Sequence, residues 1–267
     1  MSEGILENVS MKGKVVLVSG GSEGIGYGMT EALANAGAKV VIASCSEEKG
    51  IKAAEALKAS VGDRGEVAYV RADITRAEDN EAMVMFAVEK FGRLDGAINN
   101  AVYPGDFKLL ADEPEESFDL TLSTNIKGIW LGMKSQINQF LAQGAKPGDN
   151  YSIINVSSAA TRRPAPAMGP YNMSKTAVES LTRSAAVEYS PRGIRTNSLV
   201  FGVFNTEKSR MLHQHMPKML EINQSRHKVG RFGDPRQDAG AAAIYLLSEA
   251  SGFVTGSVLT LDGGMSL

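Results

Sequence analysis

The sequence predicts an α/β fold in which one doubly wound parallel sheet of about seven strands carries helices on both faces. Short apolar runs alternate with helical patterns along all 267 residues. The runs are continuously apolar, as expected of strands that are covered on both faces. The first run ends in a glycine-rich turn that leads into a helix. Because no linker or repeat interrupts the alternation, we expect one domain over residues 1–267.

The predicted elements follow from β-branched content and from helical periodicity. The first strand is the run Lys-Val-Val-Leu-Val-Ser at 14–19, and the next helix repeats apolar residues at Met29, Leu33 and Ala36 up to Gly37. The remaining strands are predicted at 39–44, 66–71, 94–99, 151–156, 194–200 and 257–261. Further helices are predicted at 47–60, 78–91 and 118–141, after Pro170 and after Pro235.

Composition and charge argue against several classes of function. The formal net charge of -2 offers no basic field for nucleic acid. No apolar run approaches membrane-spanning length, and the first residues lack the basic start and apolar core of a signal peptide, so we expect a cytoplasmic location and no membrane partner. Cys45 is the one cysteine, and His213, His215 and His227 lie in one polar stretch without metalloprotease spacing. We therefore expect no metal site.

The glycine turn after the first strand is a candidate dinucleotide site. Its glycines are Gly20, Gly24 and Gly26, a spacing that differs from the commoner G-x-G-x-x-G. Glycines let the backbone approach a pyrophosphate, and the helix that begins there offers free N–H groups and the positive end of its dipole. A tight turn requires glycine whatever it binds, but the position after the first strand favours a dinucleotide.

A tyrosine and a lysine four residues apart form the candidate catalytic pair. Tyr171 and Lys175 share one face of the helix that begins near Pro170. A free tyrosine titrates at about pH 10 and is a poor acid or base at neutral pH, unless a nearby cation such as Lys175 favours its phenolate. On these five residues alone, an exposed tyrosine and a solvated lysine would be the simpler interpretation.

Taken together, the motifs resemble those of the short-chain dehydrogenase/reductase family, in the branch that carries Tyr-x-x-x-Lys and includes 3-oxoacyl reductases. The agreement in order and spacing runs from Lys12 to the terminal Leu-Asp-Gly-Gly. It includes the glycine turn, Asp73 after the third strand, Asn99-Asn100-Ala101 after the fourth, Asn125, Ser158 and Tyr171-x-x-x-Lys175. The resemblance implies a Rossmann fold, a nicotinamide cofactor and hydride transfer between a ketone and a secondary alcohol.

The resemblance also implies roles for individual residues. Tyr171 would be the general acid in reduction and the base in oxidation, and Lys175 would stabilise its phenolate and hold the nicotinamide ribose. Ser158 would bind the substrate oxygen, whereas Ser157 would be structural. Asn125 would hold a water that links Lys175 to solvent, unless its side chain bonds backbone instead. Cofactor contacts are expected at Gly20, Ser22, Glu23, Gly24, Ile25, Gly26, Ser44, Cys45, Ser46, Asp73, Ile74, Asn100, Ala101, Val102, Tyr171, Lys175, Phe201, Gly202 and Val203, and substrate contacts at Ser158, Tyr171 and Met211.

Four departures from the family pattern bear on the site. Val102 replaces the last glycine of Asn-Asn-Ala-Gly, and Phe201 replaces the proline of Pro-Gly, which would place an aromatic ring near the nicotinamide. At the end of the second strand, residues 44–46 carry no charge and leave room for the 2′-phosphate of NADP, with Lys49 near in sequence. Glu23 stands where NADP-preferring relatives carry a basic residue. On balance the sequence favours NADP(H) over NAD(H).

Residues from about 205 to 231 are expected to form a lid over the substrate. Methionines such as Met211 suit an apolar substrate, for instance a 3-oxoacyl thioester or a cyclic ketone, although the same spacing would serve the core or a subunit interface. The resemblance implies a homotetramer formed through the long helices and the C-terminal strand. Two alternative functions remain: an enoyl or dienoyl thioester reductase, and a non-catalytic regulator that binds the cofactor.

Overall fold

The computed structural model describes residues 7–267 and arranges seven strands in one parallel sheet. The sheet order is β3-β2-β1-β4-β5-β6-β7. The strands are β1 (Val15–Ser19), β2 (Lys39–Ser44), β3 (Glu66–Arg71), β4 (Gly96–Asn99), β5 (Tyr151–Ser158), β6 (Ile194–Phe201) and β7 (Val258–Leu261). The chain runs outward from β1 to β3, crosses back to β4 and then runs outward to β7. The predicted doubly wound α/β fold is confirmed.

Helices cover both faces of the sheet. They are α1 (Gly24–Asn35), α2 (Glu47–Val61), α3 (Ala77–Phe91), α4 (Glu115–Leu122), α5 (Ile129–Ala142), α6 (Gly169–Tyr189), α7 (Glu207–His215), α8 (Pro217–Arg226) and α9 (Gly240–Leu247). On one face, α1, α2 and α9 contribute Met29, Leu57 and Leu246 to a buried apolar cluster. On the other face, α3 and α5 contribute Met83 and Phe140 to a second cluster.

Strand β1 shows why its apolar run is unbroken. It lies between β2 and β4, and all 5 of its residues are buried. Val16 and Val18 pack into the cluster beneath α1, whereas Val15 and Leu17 pack into the cluster beneath α5. Successive side chains of a strand point to opposite faces, so a strand that is covered on both faces must be apolar throughout.

The structure differs from the prediction in one helix and at several strand ends: β5 continues to Ser158, two residues beyond its predicted end, and one end each of β1, β6 and β7 differs by one residue. The helix predicted at 118–141 is two α-helices, α4 and α5, joined by a π-helical segment, Ser123–Gly128. A single wider turn leaves the apolar periodicity almost unchanged, so the pattern does not reveal it. Strand β4 begins at Gly96, later than predicted, because the backbone of Leu94 bonds to the side chain of Gln143 instead of a neighbouring strand.

Candidate active site

The candidate active site lies at the carboxyl ends of the central strands. In the sheet, β1 pairs with β4, β4 with β5 and β5 with β6, all in parallel. Their carboxyl ends therefore open on the same edge. The residues found there are the glycine turn after β1, Asn100 after β4, Ser158 at the end of β5 and Gly202 after β6. Four stretches that the sequence singled out separately thus meet at one edge of the sheet.

The glycine turn closes tightly on the loop that follows β4. Gly20 has φ +67°, and a Cβ at this position would lie 2.8 Å from the Cα of Ala101. The carbonyl of Gly20 accepts a hydrogen bond of 2.9 Å from Nδ2 of Asn100. A Cβ on Gly26 would lie 2.1 Å from the same carbonyl. Contacts within the protein therefore require glycine at positions 20 and 26, independently of any ligand.

Gly24 differs from these two glycines because it faces open space. Its φ is +60°, and the nearest atom to a Cβ there would be Cγ2 of Thr206, at 3.7 Å. Helix α1 begins at Gly24, and Glu23 before it makes no capping hydrogen bond from its side chain. The first turn of α1 therefore presents backbone N–H groups to an open surface. A pyrophosphate fits this cradle, because no side chain competes for those N–H groups.

Tyr171 and Lys175 lie one helical turn apart near the start of α6. The side chain of Lys175 is buried, and its Nζ donates a hydrogen bond of 2.9 Å to the carbonyl of Val156 on β5. The same Nζ lies 5.8 Å from the centre of the Tyr171 ring. The pair is thus a half-buried tyrosine beside a buried ammonium group, which rules out the interpretation as an exposed tyrosine and a solvated lysine.

Burial controls the protonation of this pair. It lowers the pKa of Lys175 to about 8, because the charged ammonium group loses its hydration. Burial also raises the pKa of Tyr171, and the hydroxyl of Ser158 beside it opposes that rise. At neutral pH the lysine is therefore mostly protonated, whereas the phenol is neutral and still holds its proton.

Only one of the two adjacent serines at the end of β5 reaches the tyrosine. Ser158 lies close enough to Tyr171 to lower the pKa of the phenol, and its Oγ accepts a hydrogen bond of 3.2 Å from the N–H of Ala160 in the following turn. Ser157 points to the other face of the sheet and donates a hydrogen bond of 3.0 Å to Glu179 on α6. The structure therefore places Ser158, not Ser157, beside the phenol.

Asn125 lies in the π-helical segment and holds the loop after β4. Its side chain is buried, with Oδ1 accepting a hydrogen bond from the N–H of Tyr103 and Nδ2 donating to the carbonyl of Tyr103, both at 2.9 Å. Nδ2 also lies 3.1 Å from Oγ of Ser174 on α6. The side chain of Asn125 thus forms hydrogen bonds with the backbone of Tyr103, which is the alternative that the sequence left open.

A cation, Arg71, contacts the corner after β2. Ser46 caps α2 by accepting a hydrogen bond from the N–H of Lys49, and Ser44 donates a hydrogen bond of 3.3 Å to the carbonyl of Ser46. Arg71, at the end of β3, donates a hydrogen bond of 3.4 Å to the carbonyl of Cys45. The side chain of Arg71 therefore contacts the uncharged residues 44–46, whereas the side chain of Lys49 is paired with Glu23.

Glu23 binds two lysines from different parts of the chain. Its carboxylate lies 3.2 Å from Nζ of Lys49 on α2 and 3.0 Å from Nζ of Lys208 on α7. Partial burial acts to raise the pKa of Glu23, but the hydrogen bonds and charges of the two lysines lower it overall. Glu23 therefore neutralises part of the positive charge at the corner and joins the glycine turn to the predicted lid.

Other predicted cofactor contacts lie at the same edge but differ in exposure. Asp73 follows β3, and its carboxylate accepts hydrogen bonds from the N–H and the hydroxyl of Thr75 at 2.9 and 2.8 Å. Ile74 is buried against Gly128 of the π-helical segment. Val102 is 47% exposed, so the bulk that replaces the family's glycine projects outward. Ser22, Ile25 and Ala101 are half-buried in the glycine turn and the loop that faces it.

The ring of Phe201 does not line an open site, which corrects the expectation from the sequence. It is 5% exposed and packs edge-to-face on Phe204, with ring centres 4.9 Å apart. The reason is that Phe201 is the last residue of β6 and its side chain points into the apolar cluster beneath α1. The backbone of Gly202 and Val203 remains at the edge of the sheet. A cofactor contact at this position would therefore come from backbone atoms.

The predicted lid contains two helices, α7 and α8. Thr206 caps α7 and exchanges hydrogen bonds with Ser209. Met211 is 53% exposed, and Leu212 and Met216 beside it are exposed as well. These apolar side chains are therefore not part of the core of the described chain, which leaves a ligand or a subunit contact to cover them.

The described residues lack the features of two other kinds of site. Within residues 7–267, no group of three or more histidine, cysteine, aspartate or glutamate side chains is placed to hold a metal ion. In the same part of the chain, no helix combines the length and the apolar character that crossing a bilayer requires.

Comparisons with known proteins agree with this geometry. A family model described as enoyl-(acyl carrier protein) reductase matches residues 20–266. The 2,5-dichloro-2,5-cyclohexadiene-1,4-diol dehydrogenase of Sphingobium indicum is 40% identical over 256 residues, which cover 96% of this chain and 98% of that protein. The chain belongs to the short-chain dehydrogenase/reductase family. The predicted family and its enzyme class, an oxidoreductase of alcohol and carbonyl groups, are confirmed.

Solved structures of short-chain dehydrogenases/reductases share the whole fold. The 3-ketoacyl-(acyl-carrier-protein) reductase from Brucella melitensis, complexed with NADH, is 33% identical with a TM-score of 0.85 over 97% of this chain and 100% of that chain. A gluconate 5-dehydrogenase from Burkholderia cenocepacia, in complex with NADP and tartrate, is 27% identical with a TM-score of 0.87 over 98% of each chain. Structures with either form of the cofactor therefore resemble this short-chain dehydrogenase/reductase.

Sequence reasoning missed three polar side chains that hold the site together. Arg71 was overlooked because it closes a strand, and Lys208 because its partner Glu23 is 185 residues away. Glu179 accepts hydrogen bonds from Ser157 and from Thr161, at 3.0 and 2.9 Å, and so ties the turn after β5 to α6. Its spacing of one helical turn after Lys175 is a signal that could have revealed it.

Proposed function

We propose that this protein is a nicotinamide-dependent oxidoreductase that interconverts a ketone and a secondary alcohol. One observation carries the proposal: Ser158, Tyr171 and Lys175 converge at the carboxyl end of β5, at the same edge of the sheet as the open start of α1. A bound nicotinamide supplies the hydride. The chain supplies the proton and the orientation of the substrate. It forms one domain, in which residues 205–231 are the proposed lid over the substrate.

Tyr171 is the proposed proton donor in reduction. Burial raises the pKa of its phenol, so the phenol carries a proton at neutral pH. Ser158, which lies beside the phenol, would bind the same substrate oxygen. Lys175 is positively charged below its pKa of about 8 and stabilises the phenolate that remains after proton transfer. Asn125 acts as a positioning residue, because it ties the Tyr103 loop to α6.

The proposed cofactor is NADP(H). Arg71 borders the uncharged corner at 44–46, so a 2′-phosphate placed there would meet its guanidinium group, with Lys49 nearby on α2. Glu23 opposes this preference, because it already neutralises Lys49. The glycine turn would hold the pyrophosphate, and the backbone of 201–203 would face the nicotinamide.

The cofactor preference is tested by titration with NADPH and, separately, NADH, following nicotinamide fluorescence. We expect tighter binding of NADPH in the wild type, and a loss of about tenfold or more in NADPH affinity in Arg71→Ala, with NADH affinity unchanged. Arg183→Ala, on the exposed side of α6, is the control. Tighter binding of NADH by the wild type would show that Glu23 decides the preference.

The proposed substrate is apolar, and a cyclic ketone or cyclic secondary alcohol is the first class to test. Exposed apolar side chains stand near the start of α6: Leu110 is 77% exposed, and its Cδ1 would lie 2.9 Å from a Cβ on Gly169. Met211 offers a further exposed apolar group on α7. The relative that is 40% identical is named for a ring secondary alcohol, a cyclohexadienediol.

The reaction is tested by following nicotinamide oxidation with cyclic ketones, 3-oxoacyl thioesters and enoyl thioesters. We expect the wild type to reduce a ketone, and Tyr171→Phe to lose at least about a hundredfold in turnover while it keeps its cofactor affinity, because the proton donor is gone. Tyr245→Phe, on α9, is the control. If the protein reduces only enoyl thioesters, the enoyl reductase activity for which the family model is named is favoured. If it binds the cofactor but reduces none of these compounds, a non-catalytic regulator is favoured.

A further inference from the structure

We propose that His227 is a positioning residue that anchors the loop after β6 by accepting a hydrogen bond from the N–H of Val203. This inference rests on the proposed function, in which the backbone of 201–203 faces the nicotinamide. His227 lies in the predicted lid, beyond the end of α8, and 24 residues separate it from its partner in the loop.

The hydrogen bonds of His227 define its tautomer. Nδ1 lies 2.6 Å from the carbonyl oxygen of Asn223. A carbonyl only accepts, so Nδ1 carries the proton. Nε2 is then unprotonated and accepts a hydrogen bond of 3.2 Å from the N–H of Val203. The imidazole is 4% exposed, so water does not readily replace either partner.

Backbone hydrogen bonds hold the loop after β6 on both sides of the N–H of Val203, but they leave that N–H to His227. The N–H of Gly202 donates to β7 at 3.1 Å, and the carbonyl of Val203 accepts a hydrogen bond of 3.1 Å from Gly233. The N–H of Asn205 donates to the carbonyl of Gly233 at 2.8 Å. His227 satisfies the N–H of Val203, between these anchors, from the side of the lid.

Neighbouring residues hold the imidazole in this orientation. The ring of Phe232 meets it edge-to-face, with centres 5.2 Å apart, and also stacks on His213 of α7 at 5.2 Å. Gly263, in the C-terminal segment, leaves little room, since a Cβ there would lie 3.3 Å from Cδ2 of His227. The ring therefore cannot turn away from Val203 without moving the lid or the C-terminal segment.

The elements that contact His227 bring charges of both signs, and most of these charges are already engaged. Asp262, before Gly263, accepts hydrogen bonds from the N–H groups of Gly264 and Ser266 at 2.9 and 3.0 Å. Arg231, beside Phe232, is paired with Asp238 at 2.5 Å. The remaining titratable neighbours are Arg226 and Lys228, which flank His227 in sequence, and His213, whose Nε2 lies 3.2 Å from Nδ2 of Asn223.

Loss of the acceptor on His227 would leave the N–H of Val203 without its partner from the lid. Because the loop no longer has its anchor from the lid, binding of the nicotinamide half of the cofactor weakens by about three- to tenfold, the usual effect of one neutral hydrogen bond.

The test compares three variants with the wild type by titration at neutral pH. His227→Gln keeps an acceptor near the position of Nε2. His227→Leu removes the acceptor. His215→Gln changes an exposed histidine of α7 and is the matched control. The probes are NADPH or NADH, whichever the wild type binds, and the corresponding ADP-ribose, which lacks nicotinamide and so reports on the other half of the site.

We expect the wild type, His215→Gln and His227→Gln to bind the dinucleotide with similar affinity relative to ADP-ribose, and His227→Leu to lose about three- to tenfold in that ratio. Wild-type affinity in a folded His227→Leu, or a folded His227→Gln that binds as weakly as His227→Leu, would overturn the inference. If His227→Leu does not fold, His227→Phe, which keeps a ring but has no acceptor, decides. A wild type that binds dinucleotide but reduces no carbonyl compound would refute the proposed reaction and leave these titrations valid.

Discussion

Lys175 shows that the site is built at the expense of stability. Its pKa of about 8 lies below the ordinary lysine value of 10.5, so the folded protein binds this proton less well than the unfolded chain does. The difference corresponds to about 3 kcal/mol at neutral pH, since one pKa unit is about 1.4 kcal/mol. Between pH 8 and 10.5 the unfolded chain binds more protons, so this group makes stability rise with pH in that window.

Replacement of this lysine by an apolar residue should therefore stabilise the protein. We expect Lys175→Met to raise the free energy of unfolding at pH 7 by about 1 to 3 kcal/mol, and the gain to shrink toward pH 10, while activity is lost. Urea unfolding at both pH values measures the difference, with Lys90→Met on α3 as the control. A variant less stable than the wild type at both pH values would show that the hydrogen bond to Val156 outweighs the burial of charge.

At the level of elements, the π-helical segment joins three parts of the fold through one side chain. Asn125 satisfies both backbone groups of Tyr103 and reaches Ser174 on α6. One buried amide thus positions the loop after β4, the π-helical segment between α4 and α5, and helix α6, which carries Tyr171. Such a network is strong when every partner is present and costly when one is removed.

Loss of this amide should destabilise the protein and loosen the loop. We expect Asn125→Ala to lower the free energy of unfolding by about 2 to 4 kcal/mol, because two backbone groups of Tyr103 lose their partner. Limited proteolysis should then cleave the loop after Tyr103 faster than in the wild type. Gln139→Ala, on the following helix, is the control. Unchanged stability and cleavage would mean that water replaces the amide.

Sequence patterns predicted the elements well where burial determines them. The third strand, predicted at 66–71, agrees residue for residue with Glu66–Arg71, because the turns on each side bound its apolar run. The glycine turn, Ser158, Tyr171 and Lys175 could be placed because their roles require particular residue types at fixed spacing. The π turn, the burial of Phe201 and the partner of His227 could not, since each depends on contacts between segments distant in sequence.

At the scale of the whole molecule, one exposed apolar surface calls for a partner. Val187 on α6 is 80% exposed, and Phe253 is 105% exposed. Their segments touch, since a Cβ on Gly256 would lie 3.4 Å from Cβ of Ala186. Leu259 on β7, at the edge of the sheet, is exposed as well. Exposed apolar side chains grouped in this way are typical of subunit interfaces.

We propose that a second copy of the chain covers this surface in a homotetramer. We expect light scattering to give the mass of four chains, and Val187→Glu to give smaller species, because a charge would be buried in the interface. Val229→Glu changes an exposed valine of the lid and should leave the assembly intact. A monomeric mass for the wild type would refute the assembly.

The order of the strands also has a consequence for synthesis on the ribosome. Strand β1 pairs with β2 as soon as residue 44 has emerged, but its other side waits for β4, which ends at Asn99. During this interval an apolar strand destined for the centre of the sheet presents an open edge. A chaperone that shields emerging apolar segments would therefore act early, before residue 99, and strands β5 to β7 would then add one by one to a growing template.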